Sequence, residues 1–127
     1  METRFEQQLK KGVLEMVVLR MICQQPAYGY ELILRLRAES DGLLAVKEGT
    51  LYPILYRLED DGLIAADWQT PADQPAKGRA MPKKTYTATP AGRRAAARQA
   101  QVWQQFAGCI DKLTAAPLPG CEQEDLQ

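Results

Sequence analysis

Turned about 100° per residue, the stretch "EGTLYPILYRLEDDG", Glu48–Gly62, has two unlike sides. Leu51, Ile54, Leu55 and Leu58 form one of them, an apolar face suited to a core. Gly49, Pro53, Tyr56 and Asp60 lie opposite, and Thr50, Tyr52 and Arg57 flank that outer side. Glycine, threonine, proline, tyrosine and arginine suit contact with sugars, thymine methyls and phosphate better than they suit bare solvation. Gly49 lets backbone come close to a duplex, and the start of a helix suits an anion. Asp60 and Asp61 would repel phosphate, so the contacting end is Glu48–Arg57. A helix buried in a core, with Tyr52 and Tyr56 covering a neighbouring element, is the alternative reading of the same pattern.

Other chemistry is narrowed by composition. Histidine is absent from the 127 residues, which removes the commonest general acid–base group and the commonest metal ligand together. A zinc enzyme and a His-based triad are excluded, there is no glycine-rich phosphate loop, and neither enzymatic activity nor a cofactor or metal is expected. Net charge is zero, but the charges are segregated. Between Gln74 and Ile110 there is no Asp or Glu, while Lys77, Arg79, Lys83, Lys84, Arg93, Arg94 and Arg98 lie there. A basic stripe on a neutral chain is a surface that phosphate can feel. A solvated helix face followed by an irregular loop would give the same charges. The cations expected at phosphate are Lys10, Lys11, Lys47, Arg57, Lys83 and Lys84, with Lys77 and Arg79 on a β-ribbon.

The elements that must position these residues can be read in order. Met1–Phe5 reads as a frayed start, and residues 7–24 as a helix whose apolar stripe includes Leu14, Val18, Leu19 and Ile22. So wide a stripe suggests burial on more than one side. Pro26 and Gly29 interrupt it, a second helix covers about 28–40, and Asp41–Gly42 is a turn. The Glu48–Gly62 helix follows. Pro53 is tolerable there because the first turns of a helix have N–H groups without internal partners, and Gly62 is suited to the left-handed residue that ends a helix. Ile64, Ala66 and Trp68 then alternate with Ala65, Asp67 and Gln69, which predicts a strand. Residues 70–82 hold three prolines and a glycine and predict a long connecting tip. "KKTYTA", 83–88, predicts the returning strand. Thr89–Pro90 is a cap followed by a first-position proline, opening a helix to about Ala115. The fold expected is mainly α with a two-stranded β-wing: a winged helix-turn-helix plus a long C-terminal helix. Residues 6–88 would form the winged domain, 89–116 a dimerisation helix and 117–127 a disordered acidic tail.

"GTLYPILYRLEDDGLI" resembles the signature of the PadR family of transcriptional regulators. "GVLEMVVLRMICQQPAYGYEL" is similar to the family's first helix, turn and Gly-Tyr-Glu opening of the second helix, and "KKTYTATPAGRR" to the end of its wing and start of its last helix. The resemblance spans about Leu9 to Leu113. It implies a winged helix domain with a C-terminal dimerisation helix, and binding of double-stranded operator DNA as a homodimer, usually to repress, with release by a small effector. Thr50, Tyr52 and Pro53 match the recognition-helix motif, and Tyr86 the tyrosine at the wing's end.

On the last helix Ala96, Gln99, Trp103, Phe106, Ile110 and Leu113 step by three and four, an apolar stripe that needs a partner surface. With Leu14 and Val18 of the first helix it is expected to build a dimer seam, the alternative being packing on its own domain. Trp103 reads as a seam residue, or as the flat wall of an intersubunit pocket for a small aromatic or cationic effector. Cys23 and Cys109 read as small apolar residues, and a redox pair is the minority reading. The longest apolar run is short of a membrane span, no signal pattern opens the chain, and three cysteines without a C-x-x-C pair fit a reducing compartment, so the cytoplasm is expected. A winged helix used only as a protein-interaction module is the competing function.

Overall fold

The computed structural model describes residues 2–69 and 83–120. The wing-tip expectations, including Lys77 and Arg79, and the last seven residues with Cys121 lie outside the described residues. The elements run α1 (Arg4–Gln24), β1 (Ala27–Tyr28), α2 (Gly29–Glu39), α3 (Glu48–Asp60), β2 (Ile64–Gln69), β3 (Lys83–Ala88) and α4 (Pro90–Leu113). Two compact units divide the chain, Met1–Ala96 and Ala97–Gln127.

Local chemistry sets most element ends. The segment expected to be frayed is the start of α1: the Thr3 hydroxyl accepts from the Glu6 amide at 3.1 Å and the Glu6 carboxylate accepts from the Thr3 amide at 2.9 Å. This reciprocal pair satisfies two orphan donors, and it holds the Glu6 carboxyl below its ordinary pKa. Helix α3 closes with Gly62 at φ +75°. There the Gly62 amide donates to the Glu59 carbonyl at 3.0 Å and the Leu63 amide to the Leu58 carbonyl at 2.9 Å, the paired closure that a left-handed glycine permits. At the start of α4 the Thr89 hydroxyl accepts from the Gly92 amide at 3.0 Å and donates to the Gly62 carbonyl at 2.7 Å. Gly92 lies so close to the α3–β2 turn that a Cβ there would overlap the Leu63 carbonyl.

The core belongs to the first unit. Leu14, Val18, Leu19, Met21 and Ile22 from α1 meet Leu32, Ile33 and Leu36 from α2 and Leu51, Ile54, Leu55 and Leu58 from α3, with Ile64, Tyr86 and Ala96 joining from β2, β3 and α4. Burying each such aliphatic side chain contributes about 1.5–3 kcal/mol, so the inner face of α3 is committed to packing. Leu14 and Val18 correct an expectation. At 3% and 0% exposure they have no surface left for a dimer seam; the width of the α1 stripe comes from packing against several elements of its own unit.

The expected hairpin is one pair of a three-stranded antiparallel sheet, ordered β1-β3-β2. Ile64 pairs with Ala88, Ala66 with Tyr86 and Trp68 with Lys84; on the other edge Ala27 pairs with Tyr86 and Tyr28 with Thr85. The additional strand is two residues long, too short to show a period, and its partner lies almost sixty positions away. Within the second unit, Val102, Trp103, Phe106, Ile110 and Leu113 of α4 are all exposed.

Candidate nucleic-acid interface

Helix α3 turns its outer face to solvent. Gly49, Thr50, Pro53, Tyr56 and Arg57 are exposed while Leu51, Ile54, Leu55 and Leu58 are buried. Pro53 is the sixth helical residue, later than the first turn. Lacking an N–H, it cannot bond the Gly49 carbonyl one turn earlier, and so it leaves a backbone acceptor on this open face. The Lys47 cap makes no side-chain hydrogen bond, so the first amides of α3 also lack a side-chain partner from the cap.

One flank of α3 borders a groove of about 780 Å³ between the start of α1, the α2–α3 connection and the start of α3. Its lining includes the cations Arg4, Lys10, Lys11, Arg37, Lys47 and Arg57 and the carboxylates Glu2 and Glu15. Two of the cations are engaged. The Lys10 ammonium lies 2.8 Å from a Glu2 carboxylate oxygen and donates to the Ala45 carbonyl at 2.9 Å, which fastens α1 to the α2–α3 connection. Arg57 donates to Glu15 at 3.1 Å. Arg4, Lys11, Arg37 and Lys47 form no ion pair among the described residues. A concave surface with four uncompensated cations beside a helix start focuses a positive potential.

The other flank faces the sheet. Tyr52 is half-buried, and its phenol fills the space where a Cβ of Gly29 would lie. Burial, then the charges of Glu48 and Tyr56, raise its pKa. Its ring centroid is 6.2 Å from that of Tyr56. Tyr86 is buried beneath β3, and its hydroxyl has no hydrogen-bond partner among the described residues. Burial, with the nearby Glu59, pushes its pKa up to about 12. The Lys84 ammonium sits 5.6–5.7 Å from the ring centroids of Tyr56, Trp68 and Tyr86 and 3.6 Å from the Glu59 carboxylate. Lys83 lies 4.4 Å over the Tyr28 ring.

The sequence model of the "Transcriptional regulator PadR-like family" matches residues 18–98, more than half of the chain. The chain belongs to that family. A PadR-family regulator from Eggerthella lenta of known structure is 30% identical, with a TM-score of 0.72 over 87% of this chain and 88% of that one. A PadR-like regulator from Bacillus cereus is also 30% identical, with a TM-score of 0.71 over 87% and 99% of the two chains. A transcriptional regulator of Mycobacterium tuberculosis is 40% identical over 62 residues, 49% of this chain and 51% of its own. Family membership makes the protein a transcription regulator and not an enzyme, and no helix among the described residues is long and apolar enough to cross a membrane.

Within this PadR-family winged helix, the expected recognition residues fall into three groups. Lys11, Lys47, Gly49, Thr50 and Pro53 lie together along the groove. Tyr56 and Arg57 are exposed on α3, and Arg57 is turned toward α1 by Glu15. Lys10, Lys83, Lys84 and Tyr52 are held by other groups of the protein. Arg4 and Arg37 were not among the expected cations. They sit 33 residues apart and no local pattern links them; the groove where the start of α1 meets the α2–α3 connection, fastened by Lys10 on the Ala45 carbonyl, brings them together. The inward direction of Lys84 did have a signal. Residues two apart on a strand share a face, so a buried Tyr86 carries Lys84 inward with it.

Proposed function

We propose that this PadR-family chain is a homodimeric, sequence-specific regulator that binds double-stranded operator DNA and represses, with release on binding a small aromatic or cationic effector. The observation that carries the DNA half is the exposed Gly49–Thr50–Pro53–Arg57 edge of α3 lying along a groove with four cations that form no ion pair among the described residues. Side chains at the start of a helix reach base edges in a major groove, while flanking cations set its register on phosphate. Dimerisation is supported by the exposed Trp103, Phe106, Ile110 and Leu113 stripe on α4, since large apolar side chains recurring on one helical face are stabilised by a partner. Gln99 continues that stripe toward the N-terminus of α4, and Trp103 supplies a ring suited to stacking an aromatic or cationic effector.

The test is a titration of duplex DNA from the region upstream of the protein's own gene, at several salt concentrations and with an unrelated duplex as competitor. Preferential binding whose affinity falls steeply with salt supports the reading; salt-independent or absent binding overturns it and favours a protein-interaction module. Light scattering of the free protein tests the second half: a monomer at micromolar concentration removes the dimer. Quenching of Trp103 emission by planar aromatic cations, lost in Trp103→Ala, tests the effector, and the same affinity in that variant removes Trp103 from it.

A further inference from the structure

We infer that Lys84 is a positioning residue: its ammonium ties the wing to the recognition helix and does not contact DNA phosphate. This rests on the operator-binding reading above and concerns how the wing is held for it. The strand register sets the direction of Lys84. Trp68 pairs with Lys84 and Ala66 with Tyr86, so all four side chains share one face of the wing, which runs from the buried Tyr86, 1% exposed, out to Trp68, 66% exposed. From there the ammonium reaches Glu59 at 3.6 Å and lies within 6 Å of three ring centroids, Tyr56 on α3, Trp68 on β2 and Tyr86 on β3. Tyr56 and Glu59 are three residues apart on α3, one turn on the same side, so a single cation bridges the recognition helix and both strands of the wing. Aromatic faces attract a cation at this distance, and only 26% of the Lys84 side chain is exposed. A phosphate would have to displace Glu59 and those rings, whereas Lys11 and Lys47 are exposed and have no anion to leave among the described residues.

Two substitutions separate positioning from phosphate contact, because the two roles differ in salt dependence and in sign. The duplex upstream of the gene is titrated across a potassium chloride series with wild type, Lys84→Met, Lys84→Arg, Glu59→Gln and Lys11→Met. Lys84→Met is expected to weaken binding roughly tenfold while the slope of log affinity against log salt stays at the wild-type value; Lys84→Arg recovers most of the loss. Lys11→Met, an exposed cation, is the reference for a lost phosphate contact, which lowers the slope by about 0.9. Glu59→Gln is expected to weaken binding, since it releases Lys84 from the helix. If Lys84 bound phosphate, removing the competing carboxylate would strengthen it instead. A slope lowered in Lys84→Met, or tighter binding by Glu59→Gln, overturns the inference. Amide hydrogen exchange of β2 and β3 in the free protein decides independently of DNA. Faster exchange in Lys84→Met supports the tether and unchanged exchange removes it, whereas a wild type that binds no DNA counts against the operator reading alone.

Discussion

The two flanks of α3 carry similar residues under opposite conditions. Toward the groove and among the described residues, Lys11 and Lys47 are exposed and without anions, and Gly49 has nothing within 4 Å of the place a Cβ would take. Toward the sheet, Lys83 and Lys84 rest on tyrosine rings, and Gly29 has its Cβ space filled by Tyr52. Lysine and glycine therefore meet different surroundings on the two flanks of one helix. On the open flank they are exposed; on the packed flank Lys84 and Gly29 lie against Glu59, Tyr56 and Tyr52 of α3.

Breaking the packed flank should have the largest effect. Gly29→Ala forces the Tyr52 phenol out of its place, and overpacking of this kind costs about 1–3 kcal/mol. Thermal denaturation should show a clear fall in Tm, and an unchanged Tm would mean that Tyr52 moves aside freely and the flank is not tightly packed. Charge removal on the open flank comes next. Lys11→Met with Lys47→Met should leave the unfolding midpoint within about 0.5 kcal/mol of wild type. It should lower the salt slope of duplex binding by about 1.8, two contacts at 0.9 each; an unaltered slope would mean the groove does not face phosphate. Gly49→Ala sharpens the contrast with Gly29. In the free protein it should stabilise by about 0.5–1 kcal/mol, because alanine is the better helix former and meets no neighbour, while duplex binding should weaken if backbone approach at Gly49 is used. Destabilisation would show that the open flank is closed after all.

Tyr86→Phe is the smallest expected change. The hydroxyl it removes is buried and without a partner among the described residues, so its loss should alter stability by no more than about 1 kcal/mol, in either direction. The pH dependence is more telling. The Tyr86 pKa is raised from 10.0 to about 12 chiefly by burial, so folding favours the neutral phenol. Its contribution is complete below pH 10 and is lost as pH climbs through about 12. Urea unfolding midpoints should fall over that window in wild type and fall less in Tyr86→Phe. Parallel curves would assign the alkaline loss to other groups.

Much of this is legible in the sequence. The apolar period of Leu51, Ile54, Leu55 and Leu58 and the glycine after Asp61 placed α3 to within two residues at either end, because both signals are local. The Thr89–Pro90 cap is local in the same way. The start of α1 is less legible, because the Thr3–Glu6 capping pair, though equally local, opposes the usual fraying of a terminus. β1 left no trace, being two residues whose stability comes from a distant strand. What covers Leu14 and Val18 is not legible in the sequence, because a wide apolar stripe says how much surface is covered but not by what.

What the chain's order of residues determined alone was the set of elements and the face each would bury, since helical and strand periods act over a few neighbouring positions. What only the tertiary structure decided was which cations remain available. Arg4 and Arg37 reach the groove, and Lys10 and Lys84 are taken by Glu2, Ala45 and Glu59, through contacts between residues far apart in the chain. Availability of a charge depends on its nearest opposite charge in space, and that distance is set by packing.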